Sequence, residues 1–327
     1  MIPNRIFFIW LGKNFPWSAG IAVLSALRVQ RPQEIIVYSD VELQGEGFDL
    51  IKKEKEIEFK IIDGSIFKDL EDNGICEKLC SEVKSPASKA NLLRLALLYK
   101  HGGIYLDTDT IFIKPIDDLL NLKGFCGTET VALPRELFKS VNPFAYIACG
   151  LRFAWRFFCT YCPNGEQVFR KTETFFSQSA NNAVLASEAK NPVIAKAFQT
   201  MNSMPQKERL KRYRLGTHLL QNITQNKNSE FMEVLPGSFF YPLGPEICRH
   251  YFLDGTAKRL GKMLLQNTRI VHWYNSVERR FLKEPLNAQW VKKHPASAFA
   301  KMYSAFHAPQ TAHGTPETTP QMVPDFP

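Results

Sequence analysis

The sequence has few cysteines, no long apolar run and no internal repeat. Its seven cysteines are odd in number and irregularly spaced, which argues against a disulfide framework and for a reducing compartment. No apolar run approaches the roughly 20 residues that a membrane-spanning helix needs. The N-terminus leads directly into a strand-like run, without the charged head, apolar core and cleavage site of a signal peptide. We therefore expect a cytoplasmic protein, either free or peripheral on the inner face of the membrane.

Acidic residues are outnumbered by basic ones. The 327-residue chain carries 41 Lys and Arg against 32 Asp and Glu, a formal net charge of +9. Such a surplus favours anionic partners: a phosphate-bearing substrate, an acidic membrane surface or nucleic acid. No DNA- or RNA-binding motif is recognisable, and the aromatic residues do not form a stacking platform interleaved with the basic run 207–214. We therefore expect no nucleic-acid partner, and keep a basic nucleic-acid-binding protein as an alternative from a different class.

Short apolar segments and a helical pattern alternate in the first part of the chain. Strands are predicted over 5–11, 34–40 and 58–63, because these runs are apolar and rich in β-forming residues. A helix is predicted over 17–31, and it must end before Pro32. The order of strand, helix and strand predicts an α/β sheet with parallel members.

A second helix is predicted directly before the most informative motif. The Ser85-Pro86 pair is a favourable helix start, the segment 87–101 is rich in helix formers, and two glycines then end the helix. A short apolar strand over 104–106 follows. Further along the chain, the pattern over 182–201 predicts another helix.

Two aspartates separated by one residue follow this short strand. Side chains two residues apart in an extended chain point to the same side, so Asp107 and Asp109 project together. Open α/β sheets bind their ligands at the carboxyl ends of strands, which is where this pair is predicted to lie. Two such carboxylates form a hard oxygen site for Mg²⁺ or Mn²⁺, and a cation there can hold a diphosphate. A polar turn after a strand is the alternative explanation.

The segment around this pair resembles a known enzyme family. Residues 88–115, SKANLLRLALLYKHGGIYLDTDTIFIKP, resemble the sugar-binding region of DXD glycosyltransferases. That family includes bacterial capsule and lipooligosaccharide transferases and is related to the yeast initiating α-mannosyltransferase, to α-1,4-galactosyltransferases and, more distantly, to large clostridial glucosylating toxins. Weaker similarity covers about 2–275 in order: an opening strand at 2–12, a middle helix at 181–194, and closing motifs at Tyr241-Pro242 and His272-Trp273.

The resemblance implies a GT-A-like α/β fold, in which a mixed nucleotide-binding sheet flanked by helices continues into a more helical acceptor-binding half. It places the nucleotide-sugar-binding half at 1–120 and the acceptor-binding half of the same catalytic domain at 121–306. The proline-rich tail, 307–327, is expected to be disordered. The implied activity is that of a metal-dependent retaining transferase, which uses Mn²⁺ or Mg²⁺ and a nucleotide sugar, with a UDP-sugar favoured.

The resemblance also implies roles for individual residues. Asp107 and Asp109 match the motif that holds the metal and the diphosphate. Arg94 matches a helix arginine that faces the donor, Tyr105 a strand tyrosine near the donor, and Trp10 an aromatic residue that stacks on the base. Each also has an ordinary structural explanation, since an arginine can bridge carboxylates and aromatic residues usually pack in a core.

The resemblance implies roles for three further residues, but through less direct matches. Relatives often have Asp where this chain has Asn91, which keeps the hydrogen-bonding geometry without the charge, so the donor sugar stays open between a hexose and an N-acetylhexosamine. Asn182, in the segment similar to the middle helix, is expected to bind the donor. GT-A enzymes often take a third metal ligand from the C-terminal part, and His272 is the predicted ligand here, with Asn275 or Ser276 as alternatives.

No motif identifies the acceptor. The resemblance favours a glycan such as lipooligosaccharide or capsule, which can be lipid-linked, and hence a role in bacterial polysaccharide biosynthesis. A bacterial effector that glycosylates a host protein is the competing enzymatic hypothesis.

Aromatic and basic residues are mixed in the segment 151–158. Arg152 and Arg156 would share one face of a helix, with aromatic residues around the rest, and the run 207–214 adds five basic residues. Basic residues beside exposed aromatic ones are typical of a helix that lies on an anionic leaflet. The alternative is that these aromatic residues form the buried core of the acceptor half.

Overall fold

The described part of the chain, residues 1–132, 141–209, 211, 214–224 and 230–307 of a computed structural model, forms a mixed α/β fold. Its strands are β1 Arg5–Trp10, β2 Glu34–Ser39, β3 Ile57–Ile61, β4 Gly103–Leu106, β5 Thr110–Phe112, β6 Gly124–Val131, β7 Ser177–Ser187, β8 Glu233–Leu235 and β9 Ile270–His272. Its α-helices are α1 Trp17–Ser25, α2 Glu46–Ile51, α3 Ile75–Glu82, α4 Pro86–His101, α5 Pro143–Tyr161, α6 Gly165–Thr172, α7 Pro192–Ser203, α8 Gln206–Arg209, α9 Thr217–Thr224, α10 Leu260–Met263, α11 Asn275–Glu278, α12 Ala288–Lys293 and α13 Ala298–His307. The predicted α/β class is confirmed.

These elements belong to two compact units. The first comprises described residues within 1–110, 116–129 and 179–237, and the second those within 111–115, 130–178 and 238–307. The predicted boundary near residue 120 stays a prediction. The predicted tail lies outside the described residues except for its first residue, His307, which ends α13.

The first unit is built on a seven-stranded sheet. Its strand order is β3-β2-β1-β4-β7-β6-β8. β1 runs parallel to β2 and to β4, β2 runs parallel to β3, and β7 runs antiparallel to β4. The sheet is therefore mixed, as expected, and helices pack against it to bury an apolar core that includes Phe7, Leu97 and Phe198.

The helix before the aspartate motif has the predicted signals at both ends. Ser85 precedes α4 in an extended conformation, and Pro86 occupies the first helical position, where its missing N–H costs nothing. Gly102 ends α4 with φ +63°, and Gly103 starts β4 with φ +118°. A Cβ at Gly103 would lie 2.7 Å from the carbonyl oxygen of Arg5, so the backbones of β4 and β1 approach closely at this glycine.

Two predicted helices differ from the structure. The α-helix expected over 17–31 ends at Ser25, and a π-helical turn, Ala26–Gln30, continues it. The helix expected over 182–201 is wrong in its first part, because β7 extends to Ser187 and α7 starts only at Pro192. The same correction applies to the middle helix expected at 181–194. A buried run such as Ala183–Ser187 is compatible with either a central strand or a buried helix, and pairing with β4 decides for the strand.

The second unit contains the small β5–β9 sheet and a largely aromatic core. Phe299 stacks on Phe252 with a centroid distance of 5.3 Å and contacts the edges of Trp273 and Trp290. None of the helices in the described residues is both long and apolar enough to span a bilayer.

Candidate donor and metal site

The aspartate motif lies at the carboxyl end of β4, as predicted. The backbone N–H of Asp107 donates to the carbonyl of Ala183 at 2.8 Å, and the hydroxyl of Thr110 donates to the carbonyl of Asp107 at 2.9 Å. Because β4 is parallel to β1, Asp107 and the last residue of β1, Trp10, lie toward the same edge of the sheet. This edge is where an open α/β sheet binds its ligand.

The carboxylate of Asp107 is held by two neighbours. The hydroxyl of Tyr105 donates to Oδ1 at 2.7 Å, and a terminal guanidinium nitrogen of Arg94 lies 3.1 Å from the same oxygen. The guanidinium carbon of Arg94 also lies 4.1 Å from the centre of the Tyr105 ring. These three side chains form one charge-assisted cluster, so the orientation of Asp107 is fixed before any ligand binds.

Tyr105 is buried and protonated. Burial raises the pKa of its hydroxyl well above the ordinary value, although Arg94 lowers it in part. The hydroxyl therefore remains a hydrogen-bond donor to Asp107 at every physiological pH. Sequence reasoning placed Tyr105 near the donor, and the structure adds its contact with the motif.

Arg94 faces into the fold. Its side chain is 5% exposed, and it donates to the carbonyl oxygens of Asn182 and of Ala90, the latter at 3.3 Å. With Asp107 and Tyr105 also in contact, the guanidinium connects α4, β4 and β7. The predicted contact of Arg94 with a sugar or phosphate stays a prediction, and the described contacts of its guanidinium include the carboxylate of Asp107.

The two predicted asparagines contact each other. The side-chain amide of Asn182 donates to the side-chain oxygen of Asn91 at 2.8 Å. Together with Arg94 and Gly216 they line a cavity of about 10 Å³ with room for one water molecule. A Cβ at Gly216 would lie 2.6 Å from the amide nitrogen of Asn91, so the glycine leaves space for that amide.

Trp10 is half-buried at the end of β1. Its ring meets Phe15 edge-on at a centroid distance of 5.4 Å, and its indole N–H has no hydrogen-bond partner among the described residues. Beyond it, the N–H of Gly12 donates to a carboxylate oxygen of Asp40 at 2.7 Å. Stacking of Trp10 on a base stays a prediction.

Asp109 and His272 belong to different units. Asp109 is half-buried in the turn that follows β4, in the first unit. His272 is buried at the end of β9 in the second unit, where its ring lies 4.2 Å from the ring of Tyr274 and 5.7 Å from that of Tyr241. Its predicted role as a third metal ligand stays a prediction.

The aspartate pair fits a hard divalent cation. Both carboxylates are partly accessible, and both described contacts of Asp107 fall on Oδ1. Mg²⁺ and Mn²⁺ prefer oxygen ligands, and Mg²⁺ usually takes only one or two protein carboxylates, completing its shell with water and phosphate.

Sequence reasoning missed two residues at this edge. Asp40 follows β2, and Gly216 precedes α9 and contacts Asn91. The position of Asp40 at the carboxyl end of a predicted strand was a usable signal. No sequence signal linked Gly216 to Asn91, because 125 positions (216 − 91) separate them.

The comparisons with known proteins agree with the motif. Residues 25–125 match the model of the family described as glycosyltransferase sugar-binding region containing DXD motif. The chain is 31% identical over 127 residues to "Subversion of eukaryotic traffic protein A" of Legionella pneumophila subsp. pneumophila, covering 36% of this chain and 18% of that protein. It is 28% identical over 138 residues to "Glucan organizing enzyme 1" of Cryptococcus neoformans var. grubii, covering 39% of this chain and 34% of that protein.

The chain thus spans between about a fifth and a third of the length of these curated relatives. Among solved structures, mouse xyloside xylosyltransferase 1 is similar with a TM-score of 0.47 and 13% identity, over 85% of this chain and 99% of that one. The matched family region contains α4, β4 and both aspartates of the motif. Residues 25–125 are therefore similar to a glycosyltransferase sugar-binding region that contains a DXD motif, and this match covers about a third of the chain.

Proposed function

We propose that the chain transfers a hexose or an N-acetylhexosamine from a nucleotide sugar, with UDP as the favoured nucleotide, to an acceptor hydroxyl. One observation carries the proposal: Asp107, fixed by Arg94 and Tyr105, lies with Asp109 at the carboxyl end of β4, within the matched family region. A carboxylate held in place before binding loses little conformational entropy when a cation and a diphosphate arrive.

The aspartates are the proposed ligands of Mn²⁺ or Mg²⁺. Oδ1 of Asp107 is engaged by Tyr105 and Arg94, so we assign Oδ2 to the cation, together with a carboxylate oxygen of Asp109. A cation held by these residues would supply positive charge to the diphosphate and to the charge that develops on it as it leaves. His272 is the proposed third ligand, on the strength of the resemblance alone.

The other residues position the donor. Arg94 holds Asp107 and places positive charge behind the motif, and the Asn91–Asn182 pair offers amide groups to sugar hydroxyls. Trp10 is the proposed platform for the base. We propose retention of the anomeric configuration by a same-face path, because the sequence presents no obvious nucleophilic carboxylate; proton NMR of the first product would reveal the anomer.

The first test uses the donor alone. Purified protein is incubated with Mn²⁺ and a panel of UDP- and GDP-sugars, and release of the nucleoside diphosphate is measured. We expect hydrolysis of one UDP-sugar, loss of the signal with EDTA and its recovery with Mn²⁺. No hydrolysis or binding of any nucleotide sugar by a folded protein would contradict the proposal.

The same assay is applied to Asp109→Ala, which should lose activity, and Asp49→Ala is its matched control. Asp49 is an exposed carboxylate on α2 that, among the described residues, forms an ion pair with the surface residue Lys52 alone. Its replacement changes the net charge as Asp109→Ala does, without touching the motif. Equal loss of activity in both variants would show that charge, and not the motif, is responsible.

The favoured acceptor is a glycan such as lipooligosaccharide or capsule, with the enzyme in the cytoplasm at an anionic membrane surface. A host protein is the second candidate, because the Legionella relative is named for subversion of eukaryotic traffic. Radiolabelled donor offered in parallel to bacterial glycolipid and to eukaryotic cell lysate separates the two. Label that enters a protein band and no glycolipid would select the effector hypothesis.

A further inference from the structure

Helix α5 presents its apolar residues to solvent. Its buried positions are Cys149, Arg156, Cys159 and Thr160, which are small or polar. Its large apolar residues are exposed instead, and those above half exposure are Phe144, Ile147, Leu151, Phe157, Phe158 and Tyr161. A helix at the surface of a protein ordinarily buries its apolar stripe and exposes its polar one, so the polarity of α5 is inverted.

The contact of α5 with the rest of its unit explains this inversion. The guanidinium of Arg156 donates to the carbonyls of Thr130 and Pro245, at 3.1 Å and 2.6 Å, and it pairs with Glu246 at 3.2 Å. A helix anchored through a buried arginine has no need to bury its aromatic residues. Arg152 and Arg156 lie four residues apart on one helix, as predicted, but Arg156 is buried and is not available to a membrane surface. The alternative, that the aromatic residues of this segment form a buried core, is wrong.

The exposed rings are ordered among themselves. Trp155 stacks on Phe158 at a centroid distance of 5.5 Å, and Phe157 contacts Tyr161 at 4.8 Å. The indole N–H of Trp155 donates to the hydroxyl of Thr172 on α6. These contacts fix the rings on the outside of the unit, over a helix about 28 Å long at 1.5 Å per residue.

The charges beside this aromatic face are basic. α5 contains no acidic residue, Arg152 is only half-buried on it, and Arg249 lies 4.8 Å from the ring of Tyr161. Lys171, exposed at the end of α6, adjoins Thr172 and hence Trp155.

Three acidic residues of neighbouring elements are engaged within the unit. Glu246 pairs with Arg156, Glu173 accepts a hydrogen bond from Thr130, and buried Glu166 pairs with Arg259. An anionic surface that approached α5 would therefore meet the basic residues described above, while these three carboxylates already have partners.

We propose that α5 is a docking helix that lies flat on an anionic phospholipid surface, with its aromatic residues among the acyl chains and its basic neighbours at the headgroups. An apolar face rimmed by cations matches such an interface in both polarity and charge. A hydrophobic face without the basic rim would fit a second copy of the chain equally well. The inference deepens the proposed location and does not depend on the donor chemistry.

The test is co-sedimentation with vesicles of phosphatidylcholine alone and of phosphatidylcholine mixed with phosphatidylglycerol. We expect binding that rises with the phosphatidylglycerol fraction and falls with salt. The variant carrying Phe144→Ser, Leu151→Ser and Phe157→Ser should bind at least about tenfold more weakly, because three exposed apolar side chains are lost. Arg152→Glu should lower binding to anionic vesicles about fivefold or more.

Ile61→Ser is the matched control, since Ile61 is an exposed apolar residue at the end of β3 in the first unit. It should leave vesicle binding unchanged. UDP binding with Mn²⁺, measured without vesicles, should be the same in all these variants, so failure of the donor proposal is distinguishable from failure of this one. Unchanged vesicle binding by the triple variant overturns the proposal, as does a dimer that the triple variant dissociates in the absence of any vesicle binding.

Discussion

Asp107 of the motif has a structural role besides its proposed role as a cation ligand, because it neutralises the buried Arg94. We predict that Asp109→Ala abolishes Mn²⁺-dependent UDP binding. Asp107→Ala should abolish the same binding and also lose about 1–3 kcal/mol, because Arg94 is left buried without its partner.

Calorimetric titration with UDP and Mn²⁺ and urea unfolding measure the two effects. Asp107→Asn is the matched control, because it keeps an oxygen for Tyr105 and Arg94 and should recover part of the stability without the metal site. Equal stability of Asp107→Ala and the parent protein would contradict the structural role assigned to Asp107.

Trp10 offers a second test at this scale. If the exposed part of its ring stacks on the base, Trp10→Ala should weaken UDP binding by about 1–3 kcal/mol. Trp10→Phe should retain most of the affinity, because a phenyl ring still stacks and still reaches Phe15. The same titration gives the affinities, and unchanged affinity in a folded Trp10→Ala variant would assign the ring to packing alone.

Single residues show why the site was only partly predictable. The spacing of Asp107 and Asp109 and their placement after a strand are local features, so the motif could be found from the sequence. The partner of Arg94 depends on β7, 88 positions away. A contact of that separation leaves no periodic pattern in one sequence, so the contacts of Arg94 with Asn182 and Asp107 could not be predicted from sequence.

At the scale of elements, prediction succeeded where local signals agreed. Helix α4 has a proline at its start and a glycine with positive φ at its end, and both ends were predicted. The prediction failed at β7, because Ala183–Ser187 is buried throughout and lacks the alternation of buried and exposed residues that indicates a strand. The neighbouring strand, and not the local pattern, determined its conformation.

The close approach of β4 to β1 at Gly103 can be tested by mutation. Gly103→Ala should destabilise the protein by about 1–3 kcal/mol, because a Cβ there meets the Arg5 carbonyl in a backbone conformation that alanine avoids. UDP binding should weaken as well, because Asp107 follows Gly103 by four residues at the other end of β4. Gly150→Ala in α5 is the control: nothing lies within 4 Å of its Cβ, so this variant should gain up to about 1 kcal/mol. Urea unfolding of both variants decides, and equal effects would mean that the close approach of β4 to β1 is immaterial.

For the whole molecule, the sequence sufficed for the α/β class, the mixed sheet and the region that carries the motif. Each compact unit consists of described residues from separate stretches of the chain, whereas the predicted halves are contiguous, and their boundary near residue 120 stays a prediction. The sequence did not indicate the polarity of α5, because the carbonyl partners of Arg156, at Thr130 and Pro245, are distant from it in sequence.

The stability of the whole chain should depend on pH through a buried histidine. His250 is buried in the second unit, where one ring nitrogen lies 2.9 Å from the carbonyl of Cys159 and the other 3.1 Å from a carboxylate oxygen of Glu166. Burial lowers the pKa of His250 below 6.5, although Cys159 and Glu166 oppose the shift.

The unfolded chain therefore binds a proton more readily than the folded chain as the pH falls below 6.5. Stability contributed by neutral His250 is complete above that pH and is lost as the pH falls toward the folded pKa, with a slope of up to about 1.4 kcal/mol per pH unit. Urea unfolding at a series of pH values measures this slope. His250→Gln, which can still donate to Cys159 but does not titrate, should remove this contribution to the slope. If the variant and the parent lose stability in parallel between pH 6.5 and the acid limb, the titration of carboxylates, and not of His250, governs the acid sensitivity of the fold.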